Sequence, residues 1–163
     1  MVHDNSNVRR QDRCLSEEAA LELLRRGQYG VLSMNTGPDG GAYGIPVNYV
    51  WDCADIIYIH CAPEGRKLHC IETDPRVSFC IVGQTNVLPS KFTTEYESVI
   101  LVCTARTGLP EEERRKALEL LIAKYSPRDI DKGLVYIEKS FSRTEIIRLD
   151  INVFSGKAKK AGR

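Results

Sequence analysis

Between Tyr29 and Cys61 the chain passes through three β-prone stretches joined by connections of only a few residues. Tyr29 to Asn35 reads as a strand, and 42–51 follows it after Gly37-Pro38-Asp39-Gly40-Gly41. Cys53-Ala54-Asp55 then turns the chain into Ile56 to Cys61. A parallel crossover needs a dozen or more residues, so consecutive strands here must run antiparallel. The turn chemistry predicts a hairpin over 29–36 and 42–51, extended by 56–61 into a meander.

The flanking segments set the rest of the fold. Ser16 can cap a helix with Glu17 and Glu18 in its first turn, an apolar face of Ala20, Leu21 and Leu24, and a stop at Gly27. Arg66 to Thr73 reads as a short helix, ended by Asp74-Pro75 because the residue before proline leaves the helical region. Val77, Phe79 and Ile81 alternate with Ser78, Cys80 and Val82 as a strand, and Gln84 to Thr94 reads as a loop. Tyr96 to Thr107 is rich in Val, Ile and Thr, and a helix follows Leu109-Pro110 with Ala117, Leu118, Leu121, Ile122 and Tyr125 as its buried stripe. Ile130, Leu134, Ile137 and Phe141 recur at helical spacing, with Gly133 as an interruption, and Ile147 to Val153 alternates as a last strand. Six strands with three or four helices predict a mainly β fold, a six-stranded antiparallel barrel with helices packed outside it. One domain over 1–163 suffices, with the leader 1–13 and the basic tail 155–163, carrying Lys157, Lys159, Lys160 and Arg163, expected as solvated termini.

Several functions are disfavoured. The 23 basic and 22 acidic residues leave a net charge of +1, which argues for no nucleic-acid surface. No apolar run is long enough to cross a bilayer, and no signal-type apolar core opens the chain, so no membrane role and a cytoplasmic location are expected. The six cysteines lack the close pairs of a disulfide framework and read as reduced thiols. No metal is expected: neither C-x-x-C nor H-x-x-x-H occurs, and on a strand Cys61 points away from the face of His60.

The stretch AYGIPVNYVWDCADIIYIHCAPEGRKLHC, 42–70, combines two strands with a glycine and a cationic pair that open a helix. Gly65 permits close backbone approach, and Arg66 and Lys67 add two charges beside helix N–H groups, which suits a phosphate dianion. A sheet face beside such a site could seat a flat ring. The same residues also read as two solvated cations on a helix turn and as ordinary core alternation at Val47 and Tyr49.

Seven segments follow one another along the chain in a set order: Arg9-Arg10-Gln11-Asp12-Arg13, Tyr43, Pro46-Val47-Asn48-Tyr49, His60-Cys61-Ala62, Gly65-Arg66-Lys67, Asp74-Pro75-Arg76-Val77 and Tyr96-Glu97-Ser98-Val99. In their order and spacing the chain resembles the flavin-binding split barrels related to pyridoxamine 5′-phosphate oxidase, in the branch of nitroimidazole-resistance (Nim-type) proteins. The resemblance implies an FMN-binding split β-barrel and a homodimer with a flavin mononucleotide in each interfacial cleft; FAD is the other candidate. Backbone at Pro46, Val47, Asn48 and Tyr49 would meet the polar edge of the ring, with Ala62, Gly65, Arg66 and Lys67 around the phosphate. His60 would serve the active centre as a proton donor or ribityl contact, the other reading being a histidine satisfied by a carbonyl. Phe92, Tyr96 and Ser98 would cover or contact the partner subunit's flavin, with Lys91 either a polar contact or simple loop packing. Trp51 reads as a packing anchor.

The chemistry so implied is reduction of a small electron-poor aromatic such as a 5-nitroimidazole by an FMN-dependent reductase. Two alternatives stand beside it. One is a non-catalytic module that binds flavin or sequesters a small molecule; the other is a pyridoxamine 5′-phosphate oxidase-like oxidase. The last would need a second phosphate site, and the sequence offers no cluster to match Arg66-Lys67.

Overall fold

The computed structural model describes residues 1–38 and 40–160; Asp39 of the first turn and Arg163 of the tail lie outside the described residues. Among the described residues eight strands form one sheet: β1 (Val2–His3), β2 (Tyr29–Asn35), β3 (Ala42–Asn48), β4 (Val50–Trp51), β5 (Ile56–Cys61), β6 (Arg76–Leu88), β7 (Thr93–Arg106) and β8 (Glu145–Lys159). Helices α1 (Glu17–Arg26), α2 (Arg66–Thr73), α3 (Glu111–Tyr125) and α4 (Ile130–Ser140) flank it. The strand order is β3-β2-β6-β7-β8-β5-β4, antiparallel throughout, with β1 parallel to β8. The mainly β antiparallel class with outer helices stands. The expected six strands are eight, because Val2–His3 adds one and 42–51 is two strands.

That division falls at Tyr49 and shapes the whole sheet. β3 and β4 are one residue apart in sequence yet occupy opposite ends of the strand order, so the sheet curls until its two edges meet. The meander therefore ends after one hairpin: β3 pairs with β2, while β5 pairs with β4 and β8. The Tyr49 backbone shows why. Its N–H donates to the Tyr125 hydroxyl at 3.0 Å and its carbonyl accepts from Lys124 Nζ at 2.9 Å, so side chains of α3 replace a ladder partner. Its ring is buried edge-on to Phe79 with centroids 5.1 Å apart, and its hydroxyl donates to the Leu24 carbonyl at 2.6 Å.

The inner face of the sheet carries Leu32, Ile57, Ile59, Phe79, Ile81, Leu101, Ile147, Leu149 and Phe154, all buried. α1 adds Ala20, Leu23 and Leu24 to that core, and the Ser16 hydroxyl caps it by accepting from Ala19 N–H at 3.2 Å. Leu21, expected on the buried face, lies at its margin. Trp51 is buried, with its indole N–H donating to the Ala54 carbonyl at 2.9 Å. α3 buries Ala117 and Leu121 against Val50, Tyr58 and Ile146 on the outer face. Gly133 lets α4 approach α3: a Cβ there would stand 2.7 Å from Ile122 side-chain carbons.

The segment 84–94 is not a loop. β6 continues through Leu88, paired with β7 as Thr85↔Tyr96, Asn86↔Glu95, Val87↔Thr94 and Leu88↔Thr93, and only 89–92 turns the chain. A register shift between Val82 and Thr85 and exposure beyond the barrel remove the alternation by which a strand is recognised. The termini are likewise part of the structure. β1 lies beside β8, and β8 carries the expected tail to Lys159, with Lys157 opposite Ser98 and Lys159 opposite Tyr96. No helix among the described residues is long and apolar enough to cross a membrane.

Candidate functional site

The connection from β5 to α2 passes through exposed Ala62 and reaches Gly65, whose φ of 138° only glycine adopts without strain. A Cβ at Gly65 would meet nothing within 4 Å, so the constraint is backbone conformation, not crowding. No side chain caps α2, and its first turn holds no acidic residue. The Leu68 N–H donates to the Gly65 carbonyl at 3.1 Å, and the N–H groups of Arg66 and Lys67 stand at the open end of the turn with two cationic side chains, an arrangement suited to a dianion. The Arg66 guanidinium lies 4.2 Å from the centroid of the Tyr43 ring on β3. This contact ties the helix start to the edge strand.

β3 divides the predicted ring contacts between two faces. Tyr43, Ile45 and Val47 pack against the core, whereas Ala42, Gly44, Pro46 and Asn48 are exposed on the outer face. Pro46 has no N–H to give and stands on an edge strand, where proline is tolerated. Tyr49 offers a ligand nothing: its ring is in the core and its backbone is bonded by α3.

At the end of the outer face, Asn48 and His60 share a cleft of about 380 Å³ roofed by α3 and α4. Its walls include Leu118, Ile122 and Tyr125 from α3, and Tyr136 and Ser140 from α4. His60 reaches solvent at the rim, yet surrounding protein and then the Lys67 charge lower its pKa below the ordinary histidine value. The imidazole is thus biased toward its neutral form, able to accept or pass a proton at neutral pH. The α3–α4 roof is the part that sequence reasoning missed. In the sequence Tyr125 reads as core, and the sign of the cleft-facing side of α4 is the i,i+4 spacing of Tyr136 and Ser140, both of which line the cleft.

Phe92, Tyr96 and Ser98 are elsewhere. Phe92 is 97% exposed at the β6–β7 tip. Tyr96 pairs with Lys159 and His60 with Ile146, so the two sites hang on opposite ends of β8. From Ile146 to Lys159 is roughly 40 Å of extended strand.

The chain matches the family model described as pyridoxamine 5′-phosphate oxidase over residues 16–158. Among curated proteins none matches. Solved structures share the fold at low identity. A candidate 5-nitroimidazole antibiotic resistance protein from Bacteroides thetaiotaomicron superposes with a TM-score of 0.71 at 16% identity, over 90% of each chain. A FAD-binding protein from Mesorhizobium loti gives 0.65 at 20% identity, over 91% of this chain and 98% of that one. A flavocytochrome from Azotobacter vinelandii gives 0.77 at 16% identity, over 94% and 72%.

Proposed function

Because the chain belongs to the pyridoxamine 5′-phosphate oxidase family, we propose that it is a flavin-dependent reductase of small electron-poor aromatics, using flavin mononucleotide. The observation that carries this reading is an uncapped cationic helix start whose Lys67 charge acts on His60, in a mainly apolar cleft that Asn48 also lines. The residues fit the cofactor. Gly65, Arg66 and Lys67 would hold its phosphate, and Ala42, Gly44, Pro46 and Asn48 would leave room for a flat ring beside β3. Relatives named for FAD and for a flavocytochrome support the cofactor class, and the Bacteroides relative supports nitroimidazoles as substrates.

Bound flavin would supply the hydride chemistry. The protein's part is position and protons. His60, biased neutral, passes a proton between solvent and the substrate in the cleft, while α3 and α4 restrict water.

The working unit in this reading is a homodimer. Val82, Ile100 and Val102 are 43%, 47% and 53% exposed on the outer sheet face, where Ile100 lies opposite Cys80 and Cys80 opposite Val31. This apolar face suits a second copy, whose Phe92, Tyr96 and Ser98 would then reach the cofactor that one copy leaves uncovered.

The test is anaerobic. Purified protein is reconstituted with flavin mononucleotide, photoreduced, and mixed with a 5-nitroimidazole. Return of the oxidised flavin spectrum faster than in buffer is the expected result. Reduction without acceptor-dependent return identifies a carrier, and failure to retain flavin removes the reading.

A further inference from the structure

Beside the His60 cleft, and sharing Asn48 and Tyr125 with it, lies a second depression of about 460 Å³ lined by Arg25, Arg26, Gln28, Asn48, Lys124 and Tyr125. Three cations converge there from the end of α1 and the end of α3, and no carboxylate among the described residues lines it. Their acidic partners stand outside: Arg25 bonds Glu22 at 3.0 Å and Arg26 bonds Glu97 at 2.5 Å. Each guanidinium has five N–H donors and gives only part of them to its partner. Lys124 Nζ donates to the Tyr49 carbonyl and sits 3.8 Å from the centroid of the Tyr49 ring. Burial lowers its pKa to about 8, a sign that its charge lacks a counterion.

Like charges gathered in a concave site repel one another unless an anion joins them, and a planar carboxylate matches the arginine fork. The adjoining cleft is walled by Leu118, Leu121, Ile122 and Tyr136, which suit a flat apolar ring. We propose that the Arg25–Lys124 depression is an anion subsite continuous with the substrate cleft, and that the substrate class is an aromatic carboxylate whose ring lies beside His60. This rests on the reading of the His60 cleft as the substrate site.

Trp51 is the single tryptophan, and the Arg25 guanidinium lies 5.9 Å from its ring centroid, so its fluorescence reports on the depression without any flavin. The experiment titrates the flavin-free protein with benzoate and with its neutral isostere benzamide. Benzoate is expected to bind saturably and at least about tenfold more tightly than benzamide. That preference should be lost in Arg25→Gln, an exposed position, and in Lys124→Met, which keeps the packing volume. No saturable response to benzoate, equal affinities, or a preference that survives both substitutions overturns the proposal. A parallel titration compares flavin mononucleotide with the dinucleotide. If Arg25→Gln weakens only the dinucleotide and benzoate does not bind, the depression serves the dinucleotide's second phosphate and the carboxylate assignment fails. Absence of flavin binding altogether defeats the reductase reading but leaves the benzoate result standing.

Discussion

Arg66 stacks on Tyr43 with its guanidinium carbon 4.2 Å from the ring centroid, so a cation of α2 is positioned by a partly buried side chain of β3. If that cation holds a phosphate, Arg66→Ala should weaken flavin mononucleotide by about 1.5–3 kcal/mol. Tyr43→Leu, which removes only the support, should cost about 0.5–1 kcal/mol. Quenching of flavin fluorescence on titration measures both. Equal affinity in wild type and Arg66→Ala removes the phosphate site from this turn.

The depressed His60 pKa offers a second reading of the same turn. Burial is its main cause and the Lys67 charge the next. A phosphate bound beside Lys67 offsets that charge, so the imidazole midpoint should rise when inorganic phosphate saturates the site. Proton NMR across pH 5–8 follows it, and Lys67→Gln should raise the midpoint without phosphate and abolish the response.

Association is testable from the exposed sheet face. Val102→Glu places a charge at a position 53% exposed in one copy, where a monomer tolerates it and an apolar interface does not. Light scattering after gel filtration should show a dimer for wild type and a monomer for the variant. The monomer should also lose flavin, since the β6–β7 tip of a second copy no longer covers it.

Lys124 contributes a pH dependence whose sign is fixed by its depressed pKa. Between about 8 in the folded protein and the usual 10.5, the unfolded chain binds more protons at this residue, so its contribution to stability rises with pH across that window. The urea midpoint of wild type relative to Lys124→Met should therefore increase from pH 7 to pH 10. A constant difference means that the ammonium is not desolvated.

Gly133→Ala tests the α3–α4 contact. Alanine gains helix propensity of up to about 1 kcal/mol but drives a methyl against Ile122, a stiff β-branched side chain, at an overpacking cost of about 1–3 kcal/mol. The net effect in urea unfolding should be destabilising. In an Ile122→Ala background the sign should reverse.

Gly133 also marks where the sequence is legible and where it is not. Read along the chain it interrupts a helix; in three dimensions it is the residue that allows two helices to touch. Elements with a one-sided environment were readable: the Ser16 cap, the β2–β3 hairpin and the alternation of Ile147 to Val153 all report a local preference or a single buried face. Tyr49 was not readable, because its departure from the ladder depends on Lys124 and Tyr125, more than seventy residues away. The β6–β7 arm escaped because a strand exposed on both faces has no apolar period. At the candidate site, the phosphate turn follows from local charge and a special glycine, whereas the cleft and the Arg25–Lys124 depression exist only after α3 and α4 have docked on the barrel.

The position of β8 between β7 and β5 sets a condition on how the chain can mature. A polypeptide stopped before residue 145 would hold two pieces of sheet that share no ladder, β3-β2-β6-β7 and the β4-β5 hairpin, joined in sequence through Tyr49. Native topology then waits on the latest strand to emerge. A nascent chain must meanwhile keep the open edges of β5 and β7 from pairing with a neighbour.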